Sequence, residues 1–181
     1  MSRFEQPIAV TPQEYELAVK KILDSSGISL IAYESAHLET VPGTDGDYVI
    51  DVVARFTALN AEFVVLVECK HHKRKVERQD VQVLHSKLQS VGAQKAMLFS
   101  VSGFQEGALE YGEVHGIALV QFANGSTCWF TKSVGPPSPP PPWANIPKYI
   151  GWWHHGNHVS LLSESDGEYT RQALDLQPNE P

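Results

Sequence analysis

A mixed β-sheet covered by helices is the fold that the sequence predicts, on three observations. Residues 30–70 hold three strand-like stretches, two of them rich in β-branched residues, bounded by turn clusters. The period then changes: Val81, Leu84, Leu88 and Val91 step by 3, 4 and 3 along one helical stripe. Beyond them two more strand-like runs flank a helical one, the alternation expected of a sheet with helices laid across it. No internal repeat is visible.

The elements follow in order. Thr11-Pro12-Gln13-Glu14 is a helix start, with Thr at the cap, Pro at the first helical position and Glu three residues on. Tyr15, Val19 and Ile22 form its apolar face, and Gly27 is a suitable stop. Leu30–Val41 reads as a strand closed by Pro42-Gly43-Thr44-Asp45-Gly46. Val49–Phe56 and Phe63–Lys70 read as a hairpin about Thr57–Glu62. The stripe at Val81–Val91 ends at Gly92, Ala96–Val101 is a buried strand, Phe104–Val114 a short helix and Ile117–Phe122 another strand. Asn124-Gly125 turns the chain into a last strand near Thr127–Thr131. The predicted order is α-β-β-β-α-β-α-β, followed by that final strand.

Composition removes several function classes. The 181 residues are 42% hydrophobic and 19% charged, ordinary for a globular protein with its own core. The longest strongly apolar run, Phe63–Val67, is far short of a bilayer span. The opening MSRFEQPIAVTPQEYE has no apolar core, so no secretory signal is expected. Two cysteines, Cys69 and Cys128, make no disulfide framework, and a cytoplasmic location is expected.

Composition shifts sharply at Gly135. Pro136–Pro142 holds six of the twelve prolines, which predicts an extended spacer without a core. The expected organisation is a compact domain over residues 1–134 and a Pro-rich linker over 135–147. An aromatic then acidic tail over 148–181 is expected to be partly disordered. Trp143, Trp152 and Trp153 suit either stacking on bases or folding the tail back onto the core. The linker or the tail could also engage a protein partner.

The chemistry concentrates on two predicted strands. Asp51 lies between Ile50 and Val52, and a buried acid there is costly unless something compensates it. Glu68 and Lys70 are two apart on the next strand, so they share a face about 7 Å apart, while Cys69 points away. With the hairpin centred near residue 59, Asp51 falls opposite residues 67–68, within the ~5.5 Å of facing residues. Asp47 would fall opposite residues beyond the strand end and is assigned to the turn. Two carboxylates beside a lysine suit Mg²⁺, or Mn²⁺ in its place, and a phosphate group.

Net charge is −7, from 14 basic and 21 acidic residues, which argues against nucleic-acid binding by bulk charge. One basic strip departs from that balance. Residues 70–78, KHHKRKVER, hold Lys70, Lys73, Arg74, Lys75 and Arg78 against the single acid Glu77. With a cation between the two carboxylates, this strip makes the neighbourhood attractive to DNA phosphates.

These residues resemble the PD-(D/E)xK nucleases: an acid, then Glu-x-Lys one strand later. The surrounding blocks TPQEYELAVKKIL, GDYVIDVVARF, FVVLVECKHHKRKV and KAMLFSVSGFQEGALEYGEVHGIALV are similar to the Mrr-like restriction endonuclease branch, over residues 11–122. The resemblance implies a restriction-endonuclease-like core, with Asp51 and Glu68 as metal ligands and Lys70 as the catalytic lysine. It adds Glu16 from the first helix, and Gln82 or Asp80 from the helix after the lysine. Ile50 stands where the family pattern has a proline before the aspartate.

The expected function is therefore Mg²⁺-dependent DNA endonuclease activity of the restriction or defence kind, with Lys73, Arg74, Lys75 and Arg78 as phosphate contacts. Cutting both strands with one site per chain favours a homodimer. The rival reading is a catalytically silent nuclease-fold module acting in nucleic-acid binding or complex assembly. A plain ion pair at a sheet edge is the non-functional account of Asp51, Glu68 and Lys70, and Glu14 is explained by helix capping. His71-His72 and His154-His155-Gly156-Asn157-His158 lack cysteine or carboxylate partners at zinc spacing, so zinc is not the expected metal.

Overall fold

The N-terminal helix begins where its cap predicts. In the computed structural model, which describes residues 8–125 and 143–176, helix α1 spans Pro12–Gly27. The Glu14 N–H donates to Thr11 Oγ1 at 3.2 Å, and the Thr11 N–H donates to the Glu14 carboxylate at 3.0 Å. This reciprocal cap satisfies two of the free N–H groups of the first turn.

Three antiparallel strands follow: β1 (Ile31–Gly43), β2 (Gly46–Ala58) and β3 (Ala61–Lys70). Leu59 and Asn60 join β2 to β3 with φ of 52° and 60°, the left-handed pair that a two-residue hairpin uses. The chain then crosses over through α2 (Arg78–Val91) to β4 (Lys95–Ser100) and through α3 (Glu106–Val114) to β5 (Ala118–Asn124). Strands β3, β4 and β5 run parallel, which requires such helical crossovers. Gly92 ends α2 at φ 73°, its N–H donating to the Leu88 carbonyl at 3.0 Å.

The sheet does not stop at β5. Strands β6 (Tyr149–His155) and β7 (His158–Ser163) extend it antiparallel, and α4 (Glu168–Ala173) packs beside α1. The seven strands lie in sequence order from β1 to β7. One core, with Tyr15, Val19, Val52, Val67, Phe99 and Val120, lies under α1 and α4. The other, with Val53, Leu66, Val81, Leu84, Leu98 and Leu119, lies under α2 and α3.

These strands place residues 149–163, part of the tail expected from residue 148, in the sheet itself, while the expected boundary at residue 134 lies outside the described residues. β5 is buried along nearly its whole length and would be a bare apolar edge without β6. Ile150 and Leu162 are fully buried, and Gly151 lies so close to Val120 that an added Cβ would sit 2.5 Å from its methyl. The expected strand at Thr127–Thr131 and the proline run Pro136–Pro142 lie outside the described residues. Among the described residues, no helix is long and apolar enough to cross a membrane.

Candidate active site

Asp51 sits at a break in two ladders. His37 pairs with Val52 and Glu39 with Ile50, so Leu38 is the residue opposite Asp51 on β1. Leu38 takes φ 53°, a left-handed backbone that costs a leucine energy. On the other side, the β2–β3 register runs from Ala58↔Ala61 to Val52↔Val67, which leaves Asp51 and Glu68 facing one step beyond it. The alternation of β2 slips at this point: Ile50 and Val53 both pack on the α2–α3 side, while Val52 and Ala54 pack on the α1 side.

The open ladder frees a donor that Asp51 takes. The Cys69 N–H donates to Asp51 Oδ2 at 2.6 Å, so the carboxylate stands in for a missing strand carbonyl. Cys69 itself packs on the α1 side, and burial pushes its thiol well above the ordinary range. It is a packing residue rather than a nucleophile.

Glu68 is 7% exposed and has a cation on each oxygen. Lys70 Nζ lies 3.6 Å from Oε2, and Lys87 Nζ, from α2, contacts Oε1. Asp51 has no such relief. Its carboxyl is raised above the usual range, chiefly by burial and further by the charges of Glu68 and Glu16. The Cys69 N–H and the more distant Lys70 offset this only in part.

A divalent cation fits this donor set. Among the described residues no group of three or more His, Cys, Asp and Glu side chains is arranged to hold a metal. The donors at the break are two, Asp51 and Glu68. Mg²⁺ requires oxygen ligands and keeps several waters, so two carboxylates suffice for it. The unbalanced charge on Asp51 is what such a cation would neutralise.

The remaining predicted residues divide. Glu16 is electrostatically coupled to Asp51, but its own carboxylate bonds His37 Nε2 at 2.6 Å. Asp80 is occupied: it accepts both guanidinium nitrogens of Arg74 at 2.8 and 2.9 Å and caps α2 through the Glu77 N–H at 2.9 Å. Gln82 is exposed on α2, where its carbonyl accepts from Ser86 Oγ at 3.0 Å. In the basic strip, Arg78 lies over the Tyr111 ring at 5.2 Å. Lys73 and Lys75 are exposed, with no ion pair among the described residues.

Three neighbours of the site escaped the sequence reading. Lys87 lies three residues after Leu84 and one before Leu88, and a lysine beside an apolar stripe is a readable signal for a buried acid partner. His37 carries no local signal, because only the β1–β2 register brings it beside Val52. Tyr15 reads as core, and it is core, yet its hydroxyl is buried without a hydrogen-bond partner among the described residues. Burial, then the ionisable groups of Cys69, Asp51 and Glu16, push that phenol up, which marks it as a neighbour of the acids.

Comparison with known proteins gives a family for most of the folded chain. The model of the Mrr_cat family, described as restriction endonuclease, matches residues 8–124, which include α1 and the strands and helices through β5. No curated protein matches the chain. Among solved structures, a protein of unknown function designated AF1548 is similar at 21% identity and a TM-score of 0.48, over 59% of this chain and 55% of that one.

Proposed function

Since the chain belongs to the Mrr_cat family of restriction endonucleases, we propose that it is a divalent-metal-dependent DNA endonuclease acting through Asp51, Glu68 and Lys70. The observation that carries this reading is the meeting of Asp51 and Glu68 across the open end of the β2–β3 ladder, with Lys70 beside Glu68. An ion pair kept only for stability would not leave Asp51 half-buried, repelled by two acids and outside ion-pairing distance of a cation among the described residues.

Asp51 and Glu68 would hold Mg²⁺, or Mn²⁺ in its place, which when bound would supply Lewis-acid polarisation of the phosphate and a more acidic water. The chain's own groups do the rest. The Cys69 N–H fixes one oxygen of Asp51, so the carboxylate is oriented before substrate arrives. Lys70 is 29% exposed at its side chain and can bring its ammonium group to the phosphate, where it offsets charge developing in the transition state. Lys73 and Lys75 are exposed on the loop that follows, available to neighbouring phosphates.

The biological setting that fits is restriction or defence in the cytoplasm. With one such site per chain, cutting both strands takes two copies. The test is cleavage of supercoiled and linear plasmid with Mg²⁺, Mn²⁺ or EDTA, comparing wild type with Lys70→Ala. Metal-dependent nicking or linearisation that is lost in the variant supports the nuclease. A folded wild type that leaves unmodified, methylated and branched DNA intact overturns it in favour of a non-catalytic nucleic-acid-binding module.

A further inference from the structure

The α2 helix delivers a cation to the oxygen of Glu68 that Lys70 leaves free. Lys87 Nζ contacts Glu68 Oε1, while Lys70 Nζ stands 3.6 Å from Oε2. Glu68 is 7% exposed, so water does little to stabilise its charge, and the two lysines supply what water does not. Asp51, which faces Glu68 across the strands, receives a backbone N–H but no lysine within ion-pairing distance among the described residues.

We propose that Lys87 is a resident counter-ion of the site, holding Glu68 in the metal-free protein and competing with the divalent cation for its Oε1. The inference rests on the assignment of Asp51 and Glu68 as metal ligands. Lys87 is a positioning residue and not a catalytic one, because it acts on Glu68 and touches no reacting atom. Two features suit it to yielding. Its side chain is 21% exposed, so its flexible stem has a path to solvent once Oε1 is taken. Lys70 remains beside Oε2, so Glu68 is not left without a cation when Lys87 withdraws. A positive charge that stays within a few ångströms of an incoming dication opposes it strongly in a site shielded from water.

The competition has a sign that a purely structural lysine does not share. Lys87→Met keeps the length and apolar stem of the side chain and removes the charge. Mn²⁺ binding to wild type, Lys87→Met, Lys87→Arg and Asp51→Asn can be followed by the loss of the free-ion electron paramagnetic resonance signal, without DNA. The expected result is that Lys87→Met binds Mn²⁺ about tenfold more tightly, an order-of-magnitude figure from charge repulsion at short range. Lys87→Arg stays near wild type, and Asp51→Asn loses binding. Circular dichroism and thermal melting of each variant establish that it is folded.

Unchanged or weaker Mn²⁺ binding by folded Lys87→Met, with wild type binding through Asp51, overturns the competition and leaves the metal site standing. Binding that ignores Asp51→Asn overturns the metal-site assignment itself, and the role of Lys87 with it. If Lys87→Met is unfolded, Lys87→Gln is measured in its place under the same criteria. If neither wild type nor a folded neutral variant binds Mn²⁺, both conclusions fall.

Discussion

Asp51 and Cys69 are joined side chain to backbone, with the Cys69 N–H donating to Asp51 Oδ2 at 2.6 Å across the open end of the β2–β3 ladder. A strand N–H ordinarily seeks a carbonyl on its neighbour. Here the neighbouring strand slips at Asp51 and offers a carboxylate in its place. The same slip that costs backbone pairing orients the acid.

The charge of Asp51 should therefore burden the fold while serving the chemistry. Asp51→Asn keeps an oxygen acceptor for the Cys69 N–H and removes the half-buried charge. The variant is expected to melt on the order of 2 °C higher than wild type at neutral pH without metal, and to have no metal-dependent cleavage. Equal or lower melting temperature in a variant that still fails to cut would separate the electrostatic account from the catalytic one.

The pH dependence follows with its sign. The carboxyl of Asp51 is raised in the folded state, chiefly by burial, so the unfolded chain ionises it more readily. Below the ordinary aspartate value both states are protonated and the penalty is absent. It grows as pH rises from that value through the raised folded value, and is constant above. The stability difference between Asp51→Asn and wild type should accordingly widen with pH over this window. Paired denaturant melts across pH 3–7 measure it, and a difference independent of pH would refute the burial argument.

On the proposed function, Lys70 acts on the phosphate rather than retaining the metal. Lys70→Ala should lower cleavage by about a hundredfold or more, while Mn²⁺ binding through Asp51 and Glu68 persists. Single-turnover cleavage and direct metal binding, measured on the same preparation, distinguish this from loss of the cation.

Of the basic strip, only part is free for phosphates. Arg74 is committed to Asp80 and Arg78 lies over Tyr111, whereas Lys73 and Lys75 are exposed. The double substitution Lys73→Ala/Lys75→Ala should weaken DNA binding and reduce the slope of log affinity against log salt by about 2. Arg74→Ala should act differently, loosening the start of α2. Fluorescence anisotropy over a salt series reads the first effect and thermal melting the second.

Residues 149–163 should behave as core and not as appendage. Ile150→Ala or Leu162→Ala is expected to cost about 2–5 kcal/mol, because each empties a fully buried position. Chemical denaturation gives the value. A loss under about 0.5 kcal/mol, the range of surface changes, would mean that β6 and β7 add little to the sheet.

Most of the N-terminal two thirds was determined locally, and so it was legible in the sequence. The cap at Thr11 and Glu14, the hairpin about Leu59 and Asn60, the stripe Val81–Val91 and its Gly92 stop are all set by residues within a few positions of one another. The facing of Asp51 and Glu68 followed from the register of a single hairpin. What required the tertiary structure was contact between distant segments. Tyr149–His155 became a strand because β5 presented an apolar edge to it, a need that nothing inside that segment announces. Lys87 and His37 joined the site because α2 lies across the sheet and β1 pairs beside β2. Local chemistry named the acids and the lysine of the candidate site; only packing decided which cations stand beside them, because charge partners are chosen by proximity in space and not by spacing along the chain.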